Sequence, residues 1–503
     1  MTHRRILIRV GRPPHRPVNI EAAHAYRAVG TFSTNTGNLL FQDAVYRALA
    51  TPSTELVVDS LSSERRGVDG AHIERINSEF DALVLPLANA FREDFLTPLN
   101  RLSKVVERLR IPVIVTGVGA QLPLDGDPRA AGTAIDEATT RFVRAVLERS
   151  ASVGVRGDLT RDYLIHLGFE ADRIDIIGCP SMHLAGPEAT VGKNPAGLTA
   201  DSRVALNLTP GVDELRAFLE LNHERYPHLT YVAQDNEMAG LLLWGEEFEA
   251  PPGMPGTMDH YLYREDRIRL FADPQPWLDF LAGCDFACGS RIHGNVAALM
   301  AGTPAFLLAH DSRTLELARF HGIPHGAVDG FAADELDLAT LYERTDLAEF
   351  NRLRGPNHAR WLEFLERNDL AHTWADPNPG FEAELAATTY PGPARPITSA
   401  TPQELAQRLR WLRQGVDDGD RLRTHRAYQP EFVPEAARPS NVAARLRQER
   451  ERTAELGEQV ARQAKEIEAL TKVVERHTRK LSQLKPTIPQ RLARKLGLGG
   501  GGR

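Results

Sequence analysis

The chain has 503 residues, of which 42% are hydrophobic and 25% charged, so it is long enough for two or three domains with sizeable cores. Its composition excludes a collagen-like chain and a disulfide-stapled miniprotein, and its three cysteines are typical of a reducing compartment. The formal net charge is −7, and no apolar run approaches the roughly 20 residues that cross a bilayer. We therefore expect a cytoplasmic protein without a signal peptide.

Short apolar runs alternate with amphipathic stretches through the first 325 residues, which is the pattern of strand–helix units in a parallel sheet. In the first half of this region the predicted strands are Arg5–Val10, Leu56–Val58, Ala82–Leu85, Val113–Thr116, Ser152–Arg156 and Arg173–Ile177. The helices predicted between them are Gly37–Leu49, Leu99–Arg110, Asp136–Arg149 and Leu159–Leu167. These elements predict a Rossmann-like domain over residues 1–190.

A second series begins after the stretch Ala185–Ser202, which is rich in Gly, Pro and Ala. Its predicted strands are Arg203–Leu208, Thr230–Ala233, Ile268–Phe271, Phe286–Ala287 and Ala305–Leu308, and its helices are Gly211–Leu221, Pro274–Leu281, Asn295–Met300 and Ser312–His321. The mostly helical stretch Leu341–Leu370 is predicted to close this second Rossmann-like domain, residues 200–375. Two such domains predict an α/β fold with a ligand site in the cleft between them.

The chain changes character beyond the second predicted domain. Residues 376–440 contain a dense scatter of Pro and Gly with one helical pattern at Gln403–Leu412, which predicts a linker with little fixed structure. Residues 441–485 follow a heptad pattern whose apolar positions are Leu446, Leu456, Val460, Ile467, Leu470, Val474, Leu481 and Leu484. This pattern predicts a coiled coil of two or three strands, and hence a homo-oligomer. A long solvated helix is the alternative.

The C-terminal region is basic, whereas the rest of the chain is acidic. Arg438–Arg503 carries a formal charge of +9 and the preceding residues carry −16, so we do not expect the body to bind nucleic acid. Residues 486–503 are rich in Gly and are expected to be disordered. Within them, Arg491, Arg494 and Lys495 are expected to touch an anionic membrane surface from its inner face, as a weak peripheral contact.

The most informative stretch for function is Ser290–Gly294, with the sequence Ser-Arg-Ile-His-Gly. A predicted strand ends just before it and a helix is expected after Gly294, so unpaired backbone amides and the helix dipole favour a bound anion. Arg291 can clamp a phosphate or carboxylate, and Gly294 can let a ligand approach the backbone. His293 can exchange a proton near neutral pH. The alternative is that Arg291 and His293 only cap the helix.

A second basic side chain follows the predicted strand Ser152–Arg156. Arg156 stands in a turn before a helix, with Asp158 as the expected N-cap. It is therefore a candidate for a second anion clamp, facing Arg291 across the cleft. A surface arginine beside a capping turn is the alternative.

Three further features of the sequence could contribute to a site. Gly37 and Asn38 open a predicted helix and can bring backbone amides and a side-chain amide to the cleft. Thr116–Gln121 contains Gly-x-Gly without the third glycine and the ribose-binding acid of a dinucleotide site. Cys284 and Cys288 lack a second Cys or His pair at zinc-ligand spacing, so we predict buried cysteines and no metal site.

Taken in order, these motifs resemble the polysaccharide pyruvyl transferase family over about residues 35–325. The matching positions are Gly37-Asn38, Thr116–Gln121, Ser152–Arg156, Gly178–Ser181 and Ser290–Gly294, followed by Ala301–Pro304, Arg313 and Gly322–Pro324. The order and spacing of the set are more specific than any one motif.

The resemblance implies a glycosyltransferase-B-like fold and transfer of a pyruvyl group, as a ketal, from phosphoenolpyruvate to a sugar of a cell-surface or exopolysaccharide precursor. Phosphoenolpyruvate would be a co-substrate, with no cofactor and no metal. The implied catalytic residue is His293, the donor-binding residues are Arg156, Arg291, Gly294 and Arg313, and the acceptor-side residues are Gly37 and Asn38.

One departure from the family keeps other functions open. Family members often continue the first motif as Gly-Asn-x-Gly-Asp, whereas Leu40 and Phe41 occupy the last two positions here. A glycosyltransferase could place the diphosphate of a nucleotide sugar in the same anion site. A non-catalytic protein could organise a glycan-assembly complex through the coiled coil and basic tail.

Overall fold

The computed structural model describes residues 3–17, 19–25, 35–64, 68–122, 132–212, 214–331, 336–413 and 439–484. The chain divides into a unit of residues 1–435 and a second unit of residues 436–503. All the described strands lie in the first unit, where they alternate with helices. The predicted α/β fold with parallel strands is confirmed, while a division of this unit at residues 190–200 stays a prediction.

The first sheet has four parallel strands in the order β2-β1-β3-β4, and β5 pairs with β6 beside it. These strands are β1 (Arg4–Ile8), β2 (Thr54–Val58), β3 (Ala82–Pro86), β4 (Val113–Thr116), β5 (Val153–Val155) and β6 (Ile174–Ile176). A parallel bridge between Val118 and Val155 connects the two groups. Every residue of β3 and β4 is buried, which explains why these strands are continuous apolar runs.

The second sheet has six parallel strands in the order β12-β11-β10-β7-β8-β9. Its strands are β7 (Val204–Asn207), β8 (Thr230–Ala233), β9 (Ile268–Leu270), β10 (Phe286–Gly289), β11 (Ala305–Ala309) and β12 (His325–Ala327). The short strand β12 was missed because its three residues are partly exposed and carry no apolar run.

Helices connect the strands on both sides of the sheets. In chain order they are α1 (Ile20–Ala25), α2 (Gly37–Leu49), α3 (Gly70–Glu79), α4 (Leu96–Val106), α5 (Thr133–Leu147), α6 (Asp158–His166), α7 (Glu214–Arg225), α8 (Asn236–Trp244), α9 (Tyr261–Arg264), α10 (Pro274–Ala282), α11 (Ile292–Met300), α12 (Ser312–His321), α13 (Leu338–Arg344), α14 (Ala348–Arg367), α15 (Pro379–Ala387), α16 (residues 402–413) and α17 (Pro439–Leu484). The prediction missed α3 and α8, and α8 is so deeply buried that it has no amphipathic period to detect.

The predicted closing segment Leu341–Leu370 divides its packing between the two sheets. Leu341 on α13 belongs to the core of the second sheet. By contrast, Trp361 and Phe364 on α14 pack in the same cluster as Ile6 and other residues of the first sheet. The segment therefore packs on the second sheet through α13, as expected, and on the first sheet through the apolar side of α14, which was not expected.

The predicted linker of residues 376–440 is partly structured. Phe381 and Leu385 on α15 are buried against the first sheet, and Ala394 is buried and pairs with Leu270 at the end of β9. On α16, Arg408 donates through Nη1 to the carbonyl of Leu243 at 3.2 Å. Little fixed structure is thus the wrong expectation for residues 376–413, since their few apolar side chains are enough to pack on the body. Residues 414–438 lie outside the described residues.

The second unit contains α17, a helix of 46 residues. Val460, Ile467, Leu470 and Val474 of the heptad pattern are 62–64% exposed in the single chain. The long helix is present, and its pairing into a coiled coil stays a prediction. The basic residues beyond it fall in 485–503, outside the described part. Within that part, no helix has the length and apolar character that crossing a membrane requires.

Candidate functional site

The carboxyl ends of strands from both sheets surround one cavity of about 390 Å³. Its walls are formed by residues that follow β3, β5, β7, β8, β10 and β11, together with the start of α2. Ligands of parallel α/β sheets bind outside the carboxyl ends of the strands. We call this space the arginine cavity, because Arg92, Arg156, Arg291 and Arg313 all line it.

The arginine cavity brings together most of the residues predicted from the sequence. Asn38, Arg156, Arg291, His293 and Arg313 line it, although they are separated by up to hundreds of residues in the chain. The two predicted glycines, Gly37 and Gly294, do not line it.

Arg291 is the N-cap residue of α11, and the helix begins at Ile292 rather than after Gly294 as expected. The backbone N–H of Arg291 donates to the carbonyl of Asn207 at 3.2 Å, which ties the start of the helix to β7. Its guanidinium contacts the carboxylate of Asp235 through Nη2 and donates from Nε to the carbonyl of Leu208 at 3.3 Å. The charge of Arg291 is therefore already paired with a carboxylate in the free protein.

Gly294 was predicted to let a ligand approach the backbone, but the side chain of Asn207 occupies that space. A Cβ atom at this position would lie 2.8 Å from the Cβ of Asn207, whose side chain fills the space next to the glycine. Asn295 donates through Nδ2 to Oδ1 of Asn207 at 3.2 Å and to the carbonyl of Gly289 at 2.9 Å. Gly294 is thus required for the packing of β7 against α11.

Gly37 allows the starts of α2 and α11 to come close together. A Cβ atom on Gly37 would lie 2.8 Å from the Cβ of His293 and 2.8 Å from Oε1 of Gln234. Gly37 is buried behind the cavity wall, whereas its neighbour Asn38 lines the cavity. In place of the predicted acceptor contact, Gly37 therefore has a packing role that sets the position of His293.

Arg156 is only 3% exposed, which excludes the alternative of a surface arginine. Its guanidinium passes over Gly119, where a Cβ atom would lie 2.8 Å from Nε. Nη2 contacts the carbonyl of Ala88, and burial lowers the pKa of the guanidinium. Nε is buried and has no hydrogen-bond partner among the described residues. Arg156 therefore holds a buried donor beside the cavity.

Glu316 on α12 lies close enough to interact electrostatically with Arg156. Its carboxylate accepts hydrogen bonds from the backbone N–H and the hydroxyl of Thr160 at 2.7 and 3.0 Å. Burial raises the pKa of Glu316 to about 7. The N-cap of α6 is Gly157 and makes no side-chain cap, so the predicted capping by Asp158 is wrong and Glu316 satisfies this helix end instead.

His293 is buried, and its environment favours the neutral imidazole. Burial, reinforced by the charge of Arg156, lowers the pKa of His293 to about 3. Nε2 lies 3.8 Å from Sγ of Cys179, and the ring of Phe41 is 6.2 Å away between centroids. Titration near neutral pH is therefore the wrong expectation for the free protein, because the histidine is desolvated beside a cation. Phe41 adds an apolar surface beside the imidazole.

Arg313 stands at the start of α12 and is paired with Asp311. Its Nε donates to Oδ2 of Asp311 at 2.9 Å, while Oδ1 of the same carboxylate accepts from the backbone N–H of Thr314 at 2.9 Å. Although Asp311 is desolvated, the charge of Arg313 holds the pKa of Asp311 below its usual value. Burial lowers the pKa of the neighbouring His310, which also lines the cavity.

Several polar side chains of the arginine cavity were not predicted from the sequence, among them Asn89, Arg92, Gln234 and Asp235. They follow β3 and β8, whose ends were predicted closely, but none lies in a recognisable motif. The sequence signal that could have identified them is their position just after a buried parallel strand, where ligands of parallel sheets bind. Burial raises the pKa of Asp235, and the charge of Arg291 opposes that rise.

A second cavity of about 360 Å³ adjoins the first. Asn38, Ala88, Asn89 and Arg92 line both. Phe41 also lines the second cavity, which we call the adjoining cavity. Nowhere in the described ranges do three His, Cys, Asp or Glu side chains form a group that could hold a metal ion.

Comparison with known proteins identifies a family. The family model described as polysaccharide pyruvyl transferase matches residues 35–312, which is more than half of the chain. This range contains Asn38, Arg156, Arg291 and His293, and it ends one residue before Arg313. No curated protein sequence is a significant match.

The similar solved structures are distant from this chain. UDP-GlcNAc 2-epimerase from Neisseria meningitidis, bound to UDP-GlcNAc, has 12% identity and a TM-score of 0.38, over 72% of this chain and 100% of that one. UDP-GlcNAc 2-epimerase from Methanocaldococcus jannaschii has 13% identity and a TM-score of 0.37, over 72% and 99%. The glycotransferase of kitacinnamycin has 12% identity and a TM-score of 0.34, over 76% and 100%. Likenesses this distant do not bear on function.

Proposed function

Because this chain belongs to the polysaccharide pyruvyl transferase family, we propose that it transfers a pyruvyl group from phosphoenolpyruvate to two hydroxyls of a sugar in a cell-surface glycan precursor. The observation that carries the proposal is the cavity that four arginines and His293 line together. Phosphoenolpyruvate has a phosphate and a carboxylate on a three-carbon frame. Several guanidinium groups are suitable partners for its two anionic ends.

The proposed reaction begins when a proton is delivered to the methylene carbon of phosphoenolpyruvate. A sugar hydroxyl bonds to the neighbouring carbon, and a base accepts the hydroxyl proton. The second hydroxyl bonds to the same carbon, the bond from that carbon to the phosphate oxygen breaks, and the second proton leaves with the phosphate or to water. The products are a cyclic ketal and inorganic phosphate.

His293 is the proposed proton donor. It would become protonated when the anionic substrate binds. In the free protein its pKa is about 3 because of burial and the charge of Arg156. An anionic donor beside Arg156 would neutralise this cation and add negative charge next to the imidazole. Both changes favour the imidazolium form and raise the pKa of His293 towards neutrality.

Asp235 is the proposed base for the acceptor hydroxyl. Burial raises its pKa, whereas the pKa of Asp311 is held low by Arg313, so Asp235 accepts a proton more readily. We expect Asp235→Asn to reduce turnover by about 10²–10⁴-fold without weakening the binding of phosphoenolpyruvate, since the same change releases Arg291. Turnover at the wild-type rate would assign the base to another group.

The acceptor is proposed to enter through the adjoining cavity. Asn38 lines both cavities, so its side-chain amide is suitably placed to bind a sugar hydroxyl next to the donor. Phe41 lines the adjoining cavity where the family often has an acid, and Glu64 and Asp94 line the same cavity. The acceptor would therefore be contacted by amides, carboxylates and an apolar surface.

The proposal is tested by incubating the full chain with phosphoenolpyruvate and a panel of free and lipid-linked glycan acceptors. We expect one acceptor to gain the mass of a pyruvyl ketal with release of one equivalent of inorganic phosphate. Consumption of a nucleotide sugar in place of phosphoenolpyruvate would contradict the proposal. Absence of turnover with every donor and acceptor would favour a non-catalytic role.

A further inference from the structure

The four arginines of the arginine cavity differ in how their charges are compensated. Arg291 is paired with Asp235, and Arg313 with Asp311. In the part of the chain that the structure describes, no carboxylate forms an ion pair with Arg92 or Arg156. Arg156, which the sequence predicted, and Arg92, which it did not, are thus the two arginines of the cavity without an ion pair. The carboxylates of Glu316 and Asp94 act on them only electrostatically, at longer range.

Arg92 is held in place by the residue before it. The backbone of Phe91 donates to the carbonyl of Gly119 at 3.2 Å and accepts from the N–H of Gln121 at 3.0 Å. The Phe91 side chain is 1% exposed and packs against Phe142, with 6.4 Å between ring centroids. Arg92 therefore leaves a rigid point of the backbone directly beside the cavity.

The side chain of Arg92 has donors without a partner in the free protein. Its Nε is buried and has no hydrogen-bond partner within the described ranges, and the same is true of Nε in Arg156 and of Nδ2 in Asn89. Burial lowers the pKa of Arg92, and the nearby Arg313 lowers it further. Holding an unpaired, desolvated cation costs stability, unless an anion joins it.

We propose that Arg92, together with Arg156 and Asn89, binds the anionic group of the ligand in the arginine cavity. The chemical class is a phosphate monoester, and the inference rests on the proposed function in taking phosphoenolpyruvate as that ligand. Arg92 and Asn89 line both cavities, so the bound group would lie where the donor meets the acceptor.

The test compares Arg92→Met, Arg92→Lys and the wild type in the full chain, by calorimetry with phosphoenolpyruvate and with inorganic phosphate. Arg92→Met should weaken the binding of both anions by about 10- to 150-fold, the effect of losing a hydrogen bond to a charged group. Arg92→Lys should recover part of the loss, because it keeps the charge but not the planar fork. Lys104→Met, at an exposed position on α4, is the control and should bind as the wild type does.

A stability measurement separates this role from a structural one. If Arg92 is held for an anion, Arg92→Met should melt at the same temperature as the free wild type or higher, and phosphate should raise its melting temperature less. A lower melting temperature for both Arg92 variants, with anion affinity unchanged, would show that Arg92 only supports the fold and would overturn the proposal.

The outcomes for Arg92 and for the proposed function can be told apart. Turnover of phosphoenolpyruvate with unchanged affinity in Arg92→Met overturns the role of Arg92 and leaves the function standing. Phosphate binding that depends on Arg92, without any turnover of phosphoenolpyruvate, supports the anion site and contradicts the function. If the wild type binds neither anion, the Arg92 proposal is wrong.

Discussion

At the residue scale, we propose that the protonation of His293 links substrate binding to catalysis. The imidazole is neutral in the free protein, with a pKa of about 3, and we propose that the bound donor makes it an acid. We expect His293→Gln to lower turnover by about 10²–10⁴-fold with little change in the affinity for phosphoenolpyruvate, because an acid acts mainly in the transition state. Steady-state kinetics and calorimetry measure the two quantities.

An isotope measurement supplies an independent check of this proton transfer. In deuterium oxide, the methyl group of the wild-type ketal should contain one deuteron from the solvent. If His293→Gln turned over at the same rate as the wild type, another residue or water would deliver the proton.

Glu316 gives the protein a dependence of stability on pH that a single substitution can isolate. Its pKa is raised from 4.5 to about 7, so the native state binds this proton more tightly than the unfolded state. Its contribution to stability therefore falls as pH rises from 4.5 to 7. Glu316→Gln keeps an acceptor for Thr160 but cannot ionise.

We expect the wild type to lose about 3 kcal/mol of unfolding free energy relative to Glu316→Gln as the pH rises through this window. Denaturant unfolding at several pH values measures the difference. Glu343→Gln, at an exposed glutamate on α13, is the control and should follow the wild type. Parallel stability curves for the wild type and Glu316→Gln would contradict the raised pKa.

The location of the site residues could be predicted from the sequence, but their protonation and their ion pairs could not. Arg156 and Arg291 follow predicted strands, so the geometry of a parallel sheet was enough to bring them to one edge. The pKa of His293 depends on burial and on Arg156, which is distant in the chain, and the pairing of Arg291 depends on Asp235. Such long-range contacts leave no local pattern in the sequence.

At the element scale, the close approach of α2 and α11 determines where His293 lies. A methyl group on Gly37 would lie 2.8 Å from the Cβ of His293. We expect Gly37→Ala to destabilise the protein by about 1–3 kcal/mol through overpacking and to reduce turnover by displacing His293. Thermal unfolding and the transferase assay measure the two effects.

The matched control for this helix contact is Gly380→Ala on the exposed side of α15. The nearest atom to its added Cβ would be Oδ1 of Asn378, at an ordinary contact distance of 3.4 Å. The change should leave stability unchanged or raise it by up to about 1 kcal/mol, since alanine is the better helix former. Equal effects of the two substitutions would show that α2 and α11 can separate without cost.

Strands and helices with a clear hydrophobic pattern were predicted from the sequence. Elements whose structure depends on packing against distant parts of the chain were not. The buried strands β3 and β4 are continuous apolar runs in the sequence, so they were found almost to the residue. Residues 376–440 were predicted to be a linker because Pro and Gly are scattered densely through them, but residues 376–413 are structured. Their packing depends on a few apolar side chains, such as Phe381 and Ala394, whose partners lie far away in the sequence.

At the scale of the whole molecule, the long helix α17 is expected to join copies of the chain. Val460 and Ile467 are 63% and 64% exposed in the single chain, and a heptad stripe of this kind is buried by pairing with a second copy. We expect the full chain to form dimers or trimers, and a chain ending at residue 435 to be a monomer. Light scattering measures both masses.

Substitution of the stripe tests the same association without shortening the chain. Ile467→Lys combined with Leu470→Lys should also give a monomer, because buried charges oppose coiled-coil pairing. Lys472→Ala, at a position outside the heptad stripe, is the control and should stay assembled. The same mass per particle for the full chain, its truncated form and the lysine variant would contradict a role for α17 in assembly.

The fold and the family of the protein can be predicted from its sequence, whereas its acceptor sugar cannot. Alternating strands and helices predicted parallel sheets, and these are present. The ordered motifs predicted the family, whose model matches residues 35–312. We propose that the shape of the adjoining cavity selects the acceptor sugar, and that shape depends on residues such as Phe41 and Asn89, which are brought together only by the fold.

The most direct test of pyruvyl transfer is the fate of the oxygen that bridges carbon and phosphorus in phosphoenolpyruvate. With a heavy-oxygen label at that position, the full chain and its acceptor should release the label entirely in inorganic phosphate, because the carbon–oxygen bond breaks during ketal formation. Label retained in free pyruvate would mean that the phosphorus–oxygen bond had been cleaved instead, which would contradict the proposed reaction.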